Sequence, residues 1–371
     1  MMRKEEQMNR SELNEYIQGI EELSEEYMDL ARDHWDHLTH PVGSLGDLES
    51  LSIRLAGIQQ RKIPQVTKKS ILVFCADNGV VEENIASSPQ NFTQLLANSM
   101  VGGGTGVSAL ADYAKAEVVV VDVGMREDIP LVDEVVKKKV RPGTENFYLR
   151  PAMTVEDAIA GIQAGIEVAE EAIKNGADLL GTGELGIGNT TTSSAILHAF
   201  TGFPAKDCVG YGAGIDEEQY AKKVKVVAEG VKKHIQPEDG PLEILAKVGG
   251  LDIAGLVGVY LAGAKHRVGV VIDGLIASCA AMIAVKLNER VKGYIFASHL
   301  SREKAAPVLL GAMGIRPPVS LGMRLGEGSG CPFTFLILEA AIHCMETMAS
   351  YDSQGIDVKL QVDIRHMDDP Q

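Results

Sequence analysis

Residues 70–75, Ser-Ile-Leu-Val-Phe-Cys, form a short run that is apolar almost throughout and is followed by a polar turn. Comparable runs lie at 117–123, 178–181, 268–272 and 294–297, and longer stretches with helical spacing separate them. Strands that are apolar along their length and alternate with helices are typical of a parallel sheet covered on both faces. The sequence therefore predicts an α/β fold, in which ligands bind at the carboxyl ends of the strands.

Helical patterns flank and interrupt this region. Asn9 and Glu12 have the spacing of a capping box and open an amphipathic helix, which we expect to pack on another lobe or subunit. Thr154 can cap a helix over 155–174, which an Asn-Gly pair closes. The tail is apolar and helical before it becomes polar, so we expect it to form a small lobe with the N-terminal helices.

These patterns divide the chain into three segments. Residues 1–65 are predicted to form the N-terminal helical part of the small lobe, and residues 331–371 its C-terminal helical part. Residues 66–330 are predicted to form the α/β catalytic domain between them.

Composition excludes several kinds of partner. Of 371 residues, 51 are Asp or Glu and 35 are Lys or Arg, so the formal net charge is −16. Nucleic-acid phosphates and anionic membrane surfaces require clustered cations, so neither is an expected partner. The uncharged runs at 253–264 and 274–285 fall short of the roughly 20 residues that span a bilayer. The five cysteines include no CxxC pair and the N-terminus resembles no signal peptide, which predicts reduced thiols in a cytoplasmic protein.

The segment 181–191, Gly-Thr-Gly-Glu-Leu-Gly-Ile-Gly-Asn-Thr-Thr, follows a predicted strand and opens a predicted helix. It contains GxGxxG, whose glycines permit a tight turn while the helix N-terminus offers N–H groups to a phosphate. The Asn and Thr side chains add further donors. Glu184 would repel a pyrophosphate and fits better near a ribose hydroxyl or a cationic ring. A phosphate or ribose site and a plain strand–helix turn both stay open.

The segment 323–330, Met-Arg-Leu-Gly-Glu-Gly-Ser-Gly, holds a carboxylate between glycines. Leu325 and the apolar run after Cys331 could desolvate Glu327, which would raise its pKa toward neutrality and suit a general base. A turn with a solvated glutamate is the alternative. Residues 102–106, Gly-Gly-Gly-Thr-Gly, open another helix and could bind an anion, although close helix packing explains them better.

Three further patterns carry weaker signals. A histidine triplet has no cysteine or acidic residue at matching spacing, so no metal site is expected there: His34, His37 and His40. Ser298-His299 ends a predicted strand, where side chains face a ligand. A lysine run is typical of a solvated helix face, although one member could reach a phosphate: Lys222, Lys223 and Lys225.

Taken in order along the chain, these segments resemble the nicotinate-nucleotide:dimethylbenzimidazole phosphoribosyltransferase family. The resemblance covers roughly residues 30–350 and is carried by residues 41–46, 75–80, 88–89, 183–191, 247–250, 298–299 and 324–330. It implies a Rossmann-like parallel sheet with a small helical lobe made from both termini. It also implies a homodimer or a heterodimer with a homologous chain.

The resemblance further implies an activity. Phosphoribose would pass from nicotinate mononucleotide to a lower-ligand base, either 5,6-dimethylbenzimidazole or a related azole or phenol. The products would be an α-ribazole-type 5′-phosphate and nicotinate, in cobamide nucleotide-loop synthesis, and neither metal nor redox cofactor would be needed. The catalytic base would be Glu327. The substrate-binding residues would be Glu184, Gly186, Gly188, Asn189, Thr190, Lys223, Ser301, Ser88 and Leu325.

The chain departs from the family pattern beside the base pocket, which we place around Ser88, Phe92, Leu95, Leu96 and Leu325. Asn78 stands where members commonly have His, Leu96 where some have Gln, and Tyr211 in a slot that is often Arg or aliphatic. Benzimidazoles, adenine and phenols therefore all stay open as acceptors.

Two other functions also stay open. One is a non-catalytic or co-catalytic subunit of a paired transferase, against which the retained Glu327 and Glu184 argue. The other is an NAD-dependent oxidoreductase, which the sheet and GxGxxG alone suggest and Glu184 disfavours.

Overall fold

Parallel strands form the centre of the structure. The structure is a computed structural model, and it describes residues 7–126, 129–357 and 361–365. The strands within these ranges are β1 (Lys69–Ala76), β2 (Ala116–Gly124), β3 (Val136–Lys137), β4 (Leu179–Leu185), β5 (Gly269–Ile272) and β6 (Ile295–Ala297). They form one sheet in the order β3-β2-β1-β4-β5-β6, and every pairing is parallel. The predicted α/β fold is confirmed, and the strand order is that of the Rossmann fold.

Helices pack around this sheet. In the described part of the chain they are α1 (Arg10–Gln18), α2 (Glu25–Asp36), α3 (Asp47–Gln59), α4 (Phe92–Val101), α5 (Gly106–Tyr113), α6 (Val155–Lys174), α7 (Asn189–Thr201), α8 (Ala205–Cys208), α9 (Glu217–His234), α10 (Pro241–Val248), α11 (Leu251–Lys265), α12 (Leu275–Leu287), α13 (Ala306–Met313) and α14 (Cys331–Thr347). Short 3₁₀ helices span Gly79–Glu83, Glu289–Tyr294 and Asp352–Gln354. None of these helices is long and apolar enough to cross a membrane.

Local capping signals placed two helices correctly. Helix α6 has the predicted bounds, and the Thr154 hydroxyl accepts a hydrogen bond from the Asp157 N–H at 3.0 Å. Asn9 and Glu12 form the predicted capping box of α1. Helix α1 packs on α6 and α11, however, and Leu13 and Ile17 belong to the main core. The expectation that α1 packs on another lobe is therefore wrong.

The predicted end of the fourth strand is also wrong. Strand β4 continues to Leu185 because residues 181–185 pair with β1, so Gly181 and Gly183 lie inside the sheet. A Cβ on Gly183 would overlap the backbone carbonyl oxygen of Glu327. These glycines therefore permit close packing, and the GxGxxG pattern does not form the phosphate-binding turn of a dinucleotide site.

A small helical cluster joins both ends of the chain, as the sequence predicted. Its buried members come from α2, α3 and α14 and the loop after α2: Ala31, Trp35, Leu38, Ala56 and Met345. The Trp35 indole N–H donates to the Ser52 hydroxyl at 2.9 Å. The bounds of the three segments, at 65/66 and 330/331, stay a prediction, and the outermost residues 1–6 and 366–371 lie outside the described part.

The histidine triplet lies beside this cluster, at the C-terminal end of α2 and in the loop after it. The His34 and His40 imidazoles contact the backbone carbonyls of Met345 and Trp35 at 2.8 and 3.0 Å, and His37 contacts that of Asp33 at 2.6 Å. Each ring therefore has a structural partner.

The strand order reverses between β1 and β4, which leaves a crevice at their carboxyl ends. The loops after β1, β4, β5 and β6 meet at this edge. The fold therefore brings residues from distant parts of the chain to one place.

Glycines bring α6 and α11 into close contact behind the sheet. A Cβ on Gly165 would overlap the carbonyl oxygen of Gly255, and a Cβ on Gly258 would overlap that of Ile162. The obstructing atoms are backbone, so a methyl group fits only if the helices separate.

We predict that G165A lowers the free energy of unfolding by about 1–3 kcal/mol, the usual cost of overpacking a core. The matched control is G311A on α13, where a Cβ would meet nothing within 4 Å and alanine favours the helix. Chemical denaturation of both variants measures the difference. Equal stability of the two variants would contradict the packing account.

Candidate active site

A cavity of about 260 Å³ opens at the crevice between β1 and β4. All ten residues to which the family resemblance gave a catalytic or substrate-binding role line this cavity: Ser88, Glu184, Gly186, Gly188, Asn189, Thr190, Lys223, Ser301, Leu325 and Glu327. They come from separate parts of the chain. The structure therefore brings the whole predicted set together, while the role of each residue stays a prediction.

Glu327 lies on the loop before α14 and faces the N-terminus of α5. Its Oε2 accepts a hydrogen bond from the Val107 N–H at 3.3 Å, and the Thr105 hydroxyl and Gly106 N–H also stabilise the charged form. Burial outweighs these bonds and raises the pKa of Glu327 above its usual value. The alternative of a solvated glutamate is wrong. Residues 102–106 do pack closely, because a Cβ on Gly106 would overlap the Leu325 side chain. The N-terminus of α5, which begins at Gly106, also faces the Glu327 carboxylate.

Asp273 holds the loop that carries Glu327. It follows β5, is buried, and accepts the Gly330 N–H at 2.7 Å and the Gly328 N–H at 3.0 Å. Burial raises the pKa of Asp273 to about 7, although these two bonds lower it. Sequence reasoning missed Asp273, although its position directly after a predicted strand was a usable signal.

Glu184 ends β4 and is linked to a second buried carboxylate. The amide of Asn189 donates to Glu184 Oε2 and, at 3.2 Å, to Asp252 Oδ2. Burial and the neighbouring Asp252 raise the pKa of Glu184 to about 8, and burial raises that of Asp252 to about 6. The Asn189 amide therefore bonds both carboxylates, and its expected role as a donor to a ligand stays a prediction. No local motif marks Asp252 in the sequence.

Lys223 and the N-terminus of α7 form a positively charged corner of the cavity. The buried Lys223 ammonium, on α9, donates to the Thr190 hydroxyl at 2.8 Å and to the Gly210 carbonyl at 3.2 Å. Thr190 stands in the first turn of α7, whose N-terminus carries partial positive charge. Burial lowers the pKa of Lys223 to about 8. Of the lysine run, Lys222 and Lys225 do not line the cavity, so one member alone reaches it.

Further residues line the cavity around this corner. Ser301 follows β6, and its hydroxyl accepts the Glu303 N–H at 3.3 Å. The predicted ligand-facing His299 also lies on the wall. Glu303 and Arg324 line it too, and sequence reasoning missed both.

The remaining wall is apolar. Phe92, Leu96 and Leu325 line it together with Ser88, and Phe92 and Leu325 are exposed at the mouth. Leu95, which we also placed there, is exposed but does not line the cavity. A flat aromatic ring fits such a surface better than a strongly solvated group does.

This geometry defines a class of protein. A Rossmann-type sheet whose crevice combines a buried lysine, a helix N-terminus, buried carboxylates and an apolar wall is that of an enzyme acting on a phosphorylated aromatic ligand.

Comparison with known proteins then gives the family. Residues 20–356 match a family model described as phosphoribosyltransferase, and the chain belongs to this family. It is 42% identical over 353 residues to a Clostridium perfringens protein named nicotinate-nucleotide–dimethylbenzimidazole phosphoribosyltransferase, covering 95% of this chain and 98% of that one. An Alkaliphilus metalliredigens protein of the same name is 43% identical over 348 residues, covering 94% and 100%. The solved structure of CobT from Thermus thermophilus is similar with a TM-score of 0.86 and 37% identity, covering 90% of this chain and 99% of that one.

We predict that the Lys223 corner binds sulfate, whose charge is constant above about pH 3, and that binding weakens as the pH rises through about 8. Below this pH the ammonium is charged and attracts the anion, whereas above it the amine is neutral. Calorimetric titration from about pH 6.5 to about pH 9.5 measures the affinity. K223M should bind at least tenfold more weakly at neutral pH.

The matched control is K222M, which removes the same charge from the neighbouring, outward-facing side chain. Glu184 also ionises near pH 8 and therefore adds its own pH dependence to sulfate binding. K223M lacks the lysine, so its pH profile measures the contribution of Glu184 alone. Identical pH profiles for wild type and K223M would contradict the assignment of the anion to Lys223.

Proposed function

We propose that this protein transfers the phosphoribosyl group of nicotinate mononucleotide to 5,6-dimethylbenzimidazole or a related aromatic base. The products are an α-ribazole-type 5′-phosphate and nicotinate, which places the reaction in the assembly of the cobalamin nucleotide loop. The observation that carries the proposal is the position of Glu327: a carboxylate of raised pKa lines the same cavity as the apolar wall and Lys223. Family membership and the names of the related proteins support the same reaction.

The chemistry requires one base and no acid. A nitrogen of the acceptor attacks C1′ and forms the new C–N bond. The bond from C1′ to the pyridinium nitrogen breaks, its electron pair returns to the ring, and nicotinate leaves without needing a proton. The second acceptor nitrogen then loses its proton, which Glu327 accepts.

The other residues bind and orient the substrates. Lys223, Thr190 and the turn of Gly186 and Gly188 hold the 5′-phosphate, with Ser301 as a further donor. Glu184 lies near the ribose and the cationic ring and orients them. Ser88 and Leu325 contact the acceptor on the apolar wall. Orientation of both reactants supplies much of the rate.

The two alternative functions gain nothing from the structure. The GxGxxG segment lies largely within β4, which removes the feature that suggested an NAD-dependent oxidoreductase. Glu327 and Lys223 both line the cavity, which favours an active subunit over a non-catalytic one.

Assembly and location belong to the same proposal. We infer that the chain acts as a dimer, with itself or with a homologous chain, on the family resemblance. Cytoplasmic location is supported by five cysteines that are all free thiols.

We predict that E327Q lowers kcat about 10²–10⁴-fold, the usual effect of removing a general base. The glutamine amide keeps the shape of the side chain but cannot accept the proton. Nucleotide binding should stay within about twofold, because the phosphate corner is intact. Turnover assays at saturating substrate and calorimetric titration with nicotinate mononucleotide measure the two quantities.

The pH profile gives a second readout of the same residue. Since the pKa of Glu327 is raised, kcat should fall as the pH drops through a value above the usual 4.5, where the base becomes protonated. E327D, which keeps a carboxyl group one methylene further back, should retain part of the activity. An E327Q enzyme with more than half the wild-type kcat would remove Glu327 from the role of base.

We predict that the apolar wall accepts dimethylbenzimidazole and related azoles, with phenols as competitors, because attack through oxygen also requires a proton to be removed. Incubation of the wild-type chain with nicotinate mononucleotide, dimethylbenzimidazole and p-cresol, followed by mass spectrometry, identifies the products. The partner question is tested by repeating the assay with a homologous chain added. Failure to form any ribosyl phosphate in either arm would overturn the proposed function.

A further inference from the structure

The loop that carries Glu327 has a strained backbone. Gly326, Glu327 and Gly328 all have positive φ, at 83°, 65° and 95°. Glycine adopts such angles freely, but a glutamate there costs free energy and persists only where surrounding contacts enforce it. Contacts with neighbouring residues must therefore stabilise this conformation of the loop.

We propose that Asp273 is the positioning residue that fixes Glu327 for catalysis, by binding the loop backbone at the last strained residue, Gly328, and at Gly330 beyond it. This inference rests on the proposed function, since it assigns a role in the same reaction. Asp273 does not line the cavity, so its effect passes through Glu327.

The contact is bidentate. Asp273 Oδ2 accepts the N–H of Gly328, the residue next to Glu327, and Oδ1 accepts the N–H of Gly330. Two N–H groups two residues apart thus converge on one carboxylate. Such a bidentate contact fixes orientation as well as distance.

Asp273 is itself held rigidly. It directly follows β5, and its carbonyl oxygen accepts a hydrogen bond from the Ser298 hydroxyl at 3.1 Å, at the end of β6. The loop also lies directly against the sheet, where Gly183 leaves room for the Glu327 carbonyl. Contacts with three neighbouring strands, β4, β5 and β6, therefore fix the position of the loop.

An amide cannot replace this carboxylate. Asparagine offers one acceptor oxygen to two N–H donors, and its NH₂ group would face the second donor. D273N therefore releases one end of the clamp with little change in volume. A displacement of about 1 Å at a catalytic group can lower a rate about 10²-fold.

The experiment compares turnover with binding in D273N. We expect kcat to fall about 10–100-fold, while the Kd for nicotinate mononucleotide stays within about twofold. The matched control is D122N, a buried carboxylate at the end of β2 that accepts the Met125 N–H at 2.8 Å but lies off the cavity wall. D122N should lose stability without this separation of kcat from Kd.

A double-mutant cycle tests whether the effect passes through Glu327. In single-turnover assays, D273N should cost less than about twofold in an E327Q background, because the base is already absent. An equal loss in both backgrounds overturns the proposal, as does a Kd that weakens in step with kcat. If the turnover of E327Q is too low to detect, the comparison of kcat with Kd in D273N decides whether the proposal holds.

S298A covers the case in which D273N does not fold. It removes the hydroxyl that bonds the Asp273 carbonyl oxygen at 3.1 Å and that also contacts His299 Nδ1 at 2.9 Å. We expect a several-fold loss of kcat with unchanged Kd, and an unchanged kcat overturns the proposal. An inactive wild-type chain would instead contradict the proposed function, so the two failures are distinguishable.

Discussion

The burial of four carboxyl groups at one edge of the sheet is the constraint around which this site is organised. Glu184, Asp252, Asp273 and Glu327 are all buried at the carboxyl edge of the sheet, and desolvation raises the pKa of each. Backbone N–H groups oppose this effect at Asp252, Asp273 and Glu327, and the Asn189 amide opposes it at Glu184 and Asp252. Fixed backbone dipoles stabilise a carboxylate without the mobility of a lysine side chain, so the acidic groups keep defined positions.

The cavity wall carries groups of both signs. Lys223 and the N-terminus of α7 supply positive charge, and Glu184 and Glu327 line the same cavity. A ligand with an anionic group and an electron-poor ring would find a complementary group for each. The apolar wall at Phe92 and Leu96 leaves room for a second ring, which agrees with a reaction between a nucleotide and an aromatic base.

Much of this arrangement could be predicted, because the signals were local. The apolar strand runs indicated the parallel sheet, and the capping box at Thr154 placed α6 with its observed bounds. Resemblance over most of the chain identified the residues of the cavity wall. The errors came from contacts between distant segments: β4 extends to Leu185 because β1 pairs with it, and α1 packs on the main core because α6 and α11 offer an apolar surface.

The sequence by itself determined the fold class and which segments carry the chemistry, since strand hydrophobicity, helix caps and glycine-rich loops are properties of neighbouring residues. Only the tertiary structure decided which groups face each other. It placed the Asn189 amide between two carboxylates and set Asp273 behind the loop of Glu327. These outcomes depend on burial and on hydrogen bonds between residues far apart in the chain, and no short stretch of sequence contains that information.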